Sequence, residues 1–527
     1  MDKQRVIVTE RIAQEGLDLL KTELDVDNRE GISREELLEI IGEYDAIVVR
    51  SATQINEELL ERATRLKMVG RAGNGIDNID VEACTRQGVI VANTPDSNTI
   101  SAAEQTFSLM LSSLRNTAEA NAFIKGGKWD RKPFRGMEIY GKTLGIVGLG
   151  RIGSMVATRA RAFGCRVIAY DPYIADERFE RFRAEKKNTL EELVREADII
   201  TVHTPRNEET MGMIGEKELA MAQDGVRVVN CARGGIINEK ALLEALKSGK
   251  VGSAGLDVFE KEPSYGNPLF EFKNVVVTPH LGADTYEAQY RVGVNIAEQV
   301  IKGLRGEMVP NVVNLPTVLT EELESLRSYI ELARYMGSIY YQVEKAPIDR
   351  VELSFSGEIA RQETELLTVS FLTGLVSNIV SERVNYVNAR LKAEERGIKV
   401  FEKREDKTFK GYANLITAHI YNHGHNMEIA GTLTGAGTPY IVEINGFDAE
   451  FTPSGCVVMA RNEDRPGVIG AFTTVLGQAG INISMMRVGS KGELNLMVVN
   501  VDSPVDVDTL ARLQAVNGIH GAWVLRF

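Results

Sequence analysis

The chain has 527 residues, and its content of 43% hydrophobic and 26% charged residues is typical of a globular protein and excludes a disordered or fibrous one. At roughly 150 residues per domain, this length predicts about three or four domains. The formal net charge of −13 argues against a nucleic-acid partner, because it would repel a phosphate backbone.

The cysteines and the start of the chain indicate the compartment. Cys84, Cys165, Cys231 and Cys456 are widely spaced and form no CxxC pair, which favours a reducing environment over a disulfide framework or a zinc site. The charged N-terminus leads directly into a strand-like run, and no stretch of about 18 apolar residues occurs. We therefore expect a cytoplasmic protein with no membrane partner.

The first part of the chain alternates short apolar runs with helical patterns, which predicts a small parallel α/β unit. The apolar runs between residues 5 and 95 are RVIVTE, DAIVVRS, KMVGRAG and VIVANTP. Apolar positions at helical spacing over residues 99–115 then predict a long helix that begins with the capping-type pair Ser101 and Glu104.

From residue 143 the alternation resumes and predicts a second, doubly wound parallel sheet. Its strand-like runs are KTLGIVGLG, CRVIAYDP, DIITVHTP, VRVVNCARG, SAGLDVF and NVVVTPH. An amphipathic helix follows His280, and the prolines and asparagines of VPNVVNLP predict a domain boundary near residue 316.

The C-terminal third shows no catalytic motif. Residues 317–452 contain the helical patterns LTEELESLRSYIELARYMGSIYYQV and LLTVSFLTGLVSN and the strand-like VELSFSG and YIVEING. His419, His423 and His425 have a spacing open to metal binding, but without cysteines we favour an exposed polar loop and predict no metal site. Residues 453–527 predict the order strand, helix, strand, strand, helix, strand of a split βαβ module.

The segment GLGRIG at 148–153 matches the dinucleotide-binding pattern and lies between a strand-like run and a helical one. Gly148 permits the tight turn, Gly150 lets a pyrophosphate approach the backbone, and Gly153 allows the helix to pack closely. The next strand-like run ends at Asp171, whose carboxylate would bind the adenosine ribose and repel a 2′-phosphate. We therefore expect NAD rather than NADP. The alternative interpretation of GLGRIG is a plain turn from strand to helix that binds no dinucleotide.

Three polar residues follow predicted strands of the second sheet. Arg233 follows VVNCA, Glu262 follows GLDVF and His280 follows NVVVTP, so all three are expected at the carboxyl edge, where such sheets bind ligands. A His280–Glu262 pair would form a base with a stabilised imidazolium form, and Arg233 would hold a substrate carboxylate. Singly, each residue is more often structural or solvated. Together they suit hydride transfer from a 2-hydroxy acid.

The motifs GLGRIG, NCARGGIIN, GLDVFEKEP and TPHLGA resemble the D-2-hydroxyacid dehydrogenase family. The segments VRSAT, GRAGNGIDNID, NTPDSNTISAAE and KWDRKPFRG are similar to its long-form branch, and the resemblance covers essentially the whole chain. It implies a flavodoxin-like substrate domain (1–97 and 286–316), a Rossmann-type NAD-binding domain (98–285), an intervening α+β domain (317–452) and a βαββαβ ACT domain (453–527).

The resemblance also implies roles for individual residues. The catalytic residues would be Arg233, Glu262 and His280. The expected NAD contacts are Asn74, Gly148, Gly150, Arg151, Ile152, Gly153, Asp171, Thr204, Cys231, Ala232, Arg233, Asp257, His280 and Gly282. The expected substrate contacts are Arg50, Ser51, Arg71, Asn74, Gly75 and Arg131. The implied reaction is the oxidation of 3-phospho-D-glycerate to 3-phosphooxypyruvate, which opens L-serine biosynthesis, in a homotetramer.

The segments NEDRPGVIG and GINIS resemble the ACT domain, a small-molecule sensor whose implied effector here is L-serine. Amides at Gly467 and Val468 would bind the carboxylate, and Asp464 and Asn482 would bind the ammonium group. Asn462 stands where related enzymes frequently have an aromatic residue or a histidine, so we expect an effector contact there to be weaker or missing. The alternative is an ACT module that serves assembly alone.

Two other functions compete with this interpretation. The first is another dehydrogenase of the same family, such as a glyoxylate or hydroxypyruvate reductase, against which Arg50 and the two C-terminal domains argue. The second is a non-catalytic NAD-sensing scaffold similar to the C-terminal-binding corepressors. The complete set of arginine, glutamate and histidine disfavours a scaffold.

Overall fold

The structure is a computed structural model that describes residues 3–315, 320–344, 346–377, 379–380, 382–407, 411–422, 424 and 426–527. The described residues form four sheets, each with its own helices. Over these residues, we find no helix with both the length and the apolar character needed to cross a membrane.

The first sheet has five parallel strands in the order β2-β1-β3-β4-β5. Its elements are β1 (Arg5–Val8), α1 (Gln14–Glu23), β2 (Asp25–Asn28), α2 (Arg34–Ile40), β3 (Ala46–Val49), α3 (Glu57–Arg62), β4 (Met68–Arg71), α4 (Val81–Arg86) and β5 (Ile90–Ala92). The side chains of β3 are completely buried because helices cover both faces. This order is the flavodoxin-like one, with its switch point between β1 and β3.

The second sheet has seven parallel strands in the order β12-β11-β10-β9-β6-β7-β8. Its elements are α5 (Thr99–Leu114), α6 (Thr117–Lys125), β6 (Thr143–Val147), α7 (Arg151–Ala162), β7 (Arg166–Tyr170), α8 (Asp176–Phe182), β8 (Glu185–Lys186), α9 (Leu190–Glu196), β9 (Ile199–Val202), α10 (Glu216–Met221), β10 (Val226–Asn230), α11 (Glu239–Lys247), β11 (Val251–Leu256) and β12 (Val275–Val277). The chain reverses its direction of winding between β6 and β9, as in a Rossmann-type sheet.

The chain then returns to the first sheet. Helix α12 (Tyr286–Leu304) packs Ile296 and Val300 into the core that contains β1 and β4. The domain boundaries predicted from the sequence stay predictions, and the one between 316 and 317 lies outside the described residues.

The third sheet has six strands in the order β14-β13-β15-β16-β17-β18, of which only the β13–β14 pair is parallel. Its elements are α13 (Thr320–Val343), β13 (Arg350–Gly357), α14 (Glu365–Val376), α15 (Ala389–Glu395), β14 (Lys399–Glu405), β15 (Asn414–Tyr421), β16 (Asn426–Leu433), β17 (Pro439–Ile444) and β18 (Phe447–Phe451). His419 lies in β15, so the expectation of a loop was wrong there, whereas His423 and His425 lie outside the described residues. Among the described side chains, no group of three or more histidines, cysteines and carboxylates is arranged to hold a metal ion.

The fourth sheet is antiparallel, in the order β20-β21-β19-β22, which confirms the predicted ferredoxin-like arrangement. Its elements are β19 (Cys456–Glu463), α16 (Val468–Gln478), β20 (Ile483–Lys491), β21 (Leu494–Val501), α17 (Val507–Gln514) and β22 (Ile519–Arg526). One face of this sheet joins the core of the third sheet, where Val457, Met459 and Leu525 pack in the same cluster as Tyr340 and Phe451. The third and fourth sheets therefore share one hydrophobic core.

A short segment, residues 383–388, links the third sheet's domain to the first sheet; we call it the clasp. The guanidinium of Arg383 donates to the carbonyl of Leu66 (2.5 Å), and Asn385 Nδ2 donates to the carbonyl of Gly88 (2.8 Å). Val387 and Tyr386 pack against the core of the first sheet. The clasp thus holds the chain just before β4 and β5 begin.

Candidate active site

The glycine turn after β6 has the geometry of a dinucleotide site. Gly148 has a φ of 91°, and a Cβ at this position would lie 2.8 Å from the carbonyl oxygen of His203. A Cβ at Gly153 would lie 2.1 Å from the carbonyl oxygen of Gly148, whereas one at Gly150 would meet no atom within 4 Å. Two glycines are therefore required by the protein's own packing, and the middle one faces open space where a ligand fits.

Helix α7 begins at this turn. Its N-cap residue is Gly150, which has no side chain to bond the first amides of the helix. The amides of Arg151, Ile152 and Gly153 form its first turn, where the positive end of the helix dipole attracts an anion. Arg151 reaches across to Asp96, with 2.7 Å between Nε and Oδ1. This arrangement fits the pyrophosphate of NAD.

Asp171 follows β7 and points back at the glycine turn. Its Oδ2 accepts a hydrogen bond from the amide of Leu149 (2.9 Å), and its Oδ1 accepts one from the amide of Tyr173 (3.1 Å). These two amides fix the carboxylate beside the turn, where the ribose of a bound dinucleotide would lie.

His280 and Glu262 form the predicted pair, with 2.7 Å between Nδ1 of His280 and Oε2 of Glu262. The other carboxylate oxygen accepts a hydrogen bond from the amide of Phe259 (3.0 Å). Burial alone would raise the pKa of Glu262, but His280 and the Phe259 amide together hold this pKa below its ordinary value. Glu262 therefore stays charged beside the imidazole and leaves Nε2 as the free proton acceptor.

A buried carboxylate sets the backbone around His280. Asp257 is fully buried, and it accepts hydrogen bonds from Thr278 Oγ1 (2.5 Å) and from the amides of Leu281 and Gly282 (both 2.7 Å). His280 itself has a left-handed φ of 59°, a conformation that an L residue keeps only where its surroundings enforce it. Asp257, predicted as a cofactor contact, thus also holds the loop that carries the base.

Arg233 follows β10 of the second sheet and contacts the domain of the first sheet. Its Nη1 donates to the carbonyl of Ala232 (2.8 Å), and its Nε lies 3.4 Å from Oδ2 of Asp77 in the first sheet's domain. A Cβ at Gly75 would lie 2.2 Å from Nη2 of Arg233, so the Asn74–Gly75 turn packs directly against the guanidinium. Asp77 was not predicted from the sequence because nothing in the local pattern marks it as a partner of Arg233.

Two further arginines lie near Arg233. The pKa of Arg71 is lowered to about 10, mainly by burial and then by the positive charges of Arg233 and Arg50. The Nε of Arg71 is buried and has no hydrogen-bond partner. Arg71 thus lies in the field of two other guanidinium groups, and a bound anion would relieve this repulsion.

The structure brings some of the remaining predicted residues to this region and, over the described residues, gives Arg131 no contact with it. Thr204 contacts Gly148, and Cys231 and Ala232 are buried after β10. Burial, and next the charge of Asp257, raises the pKa of the Cys231 thiol to about 12, so the thiol stays uncharged. Arg131 lies in an exposed loop, and the contact described for it is a local one, from the amide of Phe134 to its carbonyl (3.2 Å).

Three family models match the chain. The NAD-binding domain of D-isomer-specific 2-hydroxyacid dehydrogenases matches residues 107–282, the D-3-phosphoglycerate dehydrogenase intervening domain matches residues 325–445, and the ACT domain matches residues 457–518. A D-3-phosphoglycerate dehydrogenase of Methanocaldococcus jannaschii is 43% identical over 523 residues, which are 99% of either chain. The chain belongs to the D-3-phosphoglycerate dehydrogenase family. The predictions of the family and of NAD as cofactor are confirmed.

Other members of the phosphoglycerate dehydrogenase family are similar along almost the same length. The Bacillus subtilis D-3-phosphoglycerate dehydrogenase is 41% identical over 502 residues, covering 94% of this chain and 95% of that one. Solved structures match a smaller part. A D-lactate dehydrogenase of Aquifex aeolicus, complexed with NAD and lactic acid, is 28% identical with a TM-score of 0.53 and covers 60% of this chain and 100% of that one.

Most of the residues that the sequence predicts to bind an effector lie around the start of α16. Asn462 is completely buried, its Nδ2 donates to the carbonyl of Glu463 (2.8 Å), and its Oδ1 has no partner. Asn495, opposite it in the strand register, donates to Asp464 Oδ1 (3.0 Å). Gly467 caps the helix with a φ of 93°, and Val468 begins it. Asn482 instead donates its amide hydrogen to Asp502 (3.3 Å) at the start of β20.

Proposed function

We propose that this chain oxidises 3-phospho-D-glycerate to 3-phosphooxypyruvate with NAD, the first step of the phosphorylated route to L-serine. The observation that carries the proposal is the His280–Glu262 pair within the field of Arg233, which in turn acts with Arg50 on the buried Arg71. A substrate with one carboxylate and one phosphate carries the negative charge that these arginines need. The names of the full-length relatives state the same substrate.

The residues divide the chemistry between them. His280 takes the proton of the substrate's C2 hydroxyl, and Glu262 stabilises the imidazolium that results. Arg233 binds the carboxylate in a planar fork and polarises the oxygen of the forming carbonyl. The glycine turn and the amides at the start of α7 would hold NAD, which would supply the acceptor for the hydride of C2. Arg50 and Arg71, with Ser51 and the Asn74–Gly75 turn, hold the phosphate end.

The ACT domain adds control by an amino acid, for which we propose L-serine. The unpartnered Oδ1 of Asn462, the charge of Asp464 and the amides at the start of α16 offer an ammonium and a carboxylate their partners. The role of Asn482 as an effector contact, the homotetramer and the cytoplasmic location stay predictions.

A glyoxylate reductase of known structure, from Paecilomyes thermophila, is 33% identical, but it covers 59% of this chain and lacks a counterpart to the rest. The assay that tests our proposal follows NADH absorbance with phosphoglycerate, glycerate and lactate, each with and without serine. We expect reduction of NAD with phosphoglycerate at far lower concentrations than with glycerate or lactate, and inhibition by serine. Equal activity on glycerate, or no reduction of NAD with any of the three, would contradict the proposal.

A further inference from the structure

Glu10 lies where the first sheet is expected to bind a ligand. It comes two residues after β1, and Arg50 comes directly after β3, the neighbouring strand. The sheet order β2-β1-β3-β4-β5 reverses between these two strands, so their carboxyl ends flank the crevice of the switch point. The family resemblance implied a substrate contact for Arg50, whereas Glu10 was not predicted.

The carboxylate of Glu10 accepts hydrogen bonds from three amides of one loop. Its Oε1 accepts from Arg50 N and Thr53 N (both 2.9 Å), and its Oε2 accepts from Ala52 N (3.1 Å). From the other side, the Nδ2 of the buried Asn78 donates to the carbonyls of Arg50 (2.9 Å) and Thr53 (2.6 Å). The loop 50–53 is thus held at both ends by two side chains.

Within this loop Ser51 is exposed, and Arg50 is partly buried with its Nη1 3.5 Å from the carbonyl oxygen of Arg11. Burial would raise the pKa of Glu10, but the amides of Thr53, Ala52 and Arg50 keep this pKa below its ordinary value, so the group is charged. A carboxylate bonded to the Arg50 amide and within the field of Arg71 opposes the binding of an anion by its charge alone. Its hydrogen bonds offer a reason for its presence.

We propose that Glu10 is a positioning residue that fixes the loop 50–53 so that Arg50 and Ser51 meet the phosphate of the substrate. The proposal rests on the proposed function, because it assumes a phosphorylated substrate. It makes Glu10 act through the backbone of the loop and not by touching the substrate.

Glu10→Gln separates geometry from charge. Glutamine keeps the size of the side chain but turns an N–H donor toward one of the three amides. If Glu10 positions the loop, KM for phosphoglycerate rises by about tenfold or more, from the loss of charge-assisted hydrogen bonds. We expect kcat at saturation and KM for NAD to change less than about twofold, and glycerate, which lacks the phosphate, to be used as before. If Glu10 matters only by its charge, KM for phosphoglycerate falls.

Asn78→Ala is the second variant, because it releases the same loop from the opposite side and decides the matter if Glu10→Gln does not fold. Glu43→Gln is the matched control: it removes the same charge from the same domain, but Glu43 pairs with Arg5 at the amino end of β1. Calorimetric titration of 3-phosphoglycerate into each protein supplies a readout without turnover. We expect weaker binding in the first two variants alone.

An unchanged or lower KM in Glu10→Gln, or an equal loss with glycerate, would overturn the positioning role. Failure of the unaltered protein to oxidise phosphoglycerate would instead refute the proposed function, while the calorimetric comparison would still report on the loop.

Discussion

The contact between His280 and Glu262 is the residue-scale feature on which the proposed chemistry depends. The pKa of Glu262 lies below its ordinary value of 4.5, so the interaction is complete above pH 4.5 and is lost only as the pH falls through the lowered pKa. Across the neutral range the imidazolium that forms during turnover therefore always has a charged partner.

Glu262→Gln removes this partner but keeps the shape of the side chain. We expect kcat to fall on the order of 10²-fold at every neutral pH, because an amide stabilises the imidazolium poorly. KM for phosphoglycerate should change little, since Glu262 does not hold the substrate. Steady-state kinetics of the variant over the neutral range, beside His280→Ala, measures both effects. A kcat equal to that of the unaltered protein would remove Glu262 from the mechanism.

The sequence identified His280, Glu262 and Arg233 because each follows an apolar run that becomes a strand of one parallel sheet. It did not identify Asp77 or Asn78, which support Arg233 and the loop 50–53 from a neighbouring turn. Such partners depend on contacts between distant parts of the chain, which the local sequence pattern does not show. Glu10 follows a strand as Arg50 does, so the same rule applied to β1 would have found it.

At the scale of elements, β9 leads directly into a titratable residue of the NAD-binding domain, His203. His203 directly follows β9, its Nε2 lies 3.0 Å from Thr201 Oγ1, and its Nδ1 is buried without a partner. Burial lowers the pKa of His203 from 6.5 to about 4. The folded protein therefore resists protonation that the unfolded chain accepts.

Stability follows from this difference with a definite sign. The contribution of His203 is complete above pH 6.5 and is lost as the pH falls toward 4, because the unfolded chain then binds the extra proton. We expect His203→Gln, which does not titrate, to lessen the fall in the free energy of unfolding between neutral pH and about pH 5 by about 2 kcal/mol. Denaturant unfolding at the two pH values measures it. Parallel pH dependence in both proteins would contradict the prediction.

The elements that the sequence predicted share one property: each has an apolar run of strand length or apolar positions at helical spacing. The strands that it missed, β2 and β8, are edge strands with the polar sequences DVDN and EK, where one side of the strand needs no apolar residue. In the third sheet, β14 is also a polar edge strand, whereas β15 and β16 mix small, polar and apolar residues that match no clear period.

On the scale of the whole molecule, the clasp connects the regulatory half to the substrate site. Arg383 and Asn385 hold the carbonyls just before β4 and β5, and the far ends of the same strands lead to Arg71 and to the turn at Asn74. Asn93 directly follows β5, and its side-chain amide donates a hydrogen bond to the carbonyl of Asn74 (2.7 Å), so the ends of the two strands are linked. A shift of the clasp would thus reach the arginines along two short strands.

Arg383→Ala tests this connection. We expect the serine concentration for half-inhibition to rise by about fivefold or more, in the range of ordinary coupling energies, while kcat without serine is retained. Inhibition curves at fixed phosphoglycerate give the comparison. Arg361→Ala is the control, because Arg361 forms an exposed pair with Asp406 in the same domain. Superimposable curves for Arg383→Ala and the unaltered protein would show that the clasp carries no signal.

The core shared by the third and fourth sheets has a consequence for how such a chain can be shortened or extended. Cutting between them would expose the apolar face around Phe451 and Leu525, whereas a cut ahead of α13 would separate Val387 and Tyr386 of the clasp from the core of the first sheet. We therefore expect the third and fourth sheets to unfold together, as one cooperative unit.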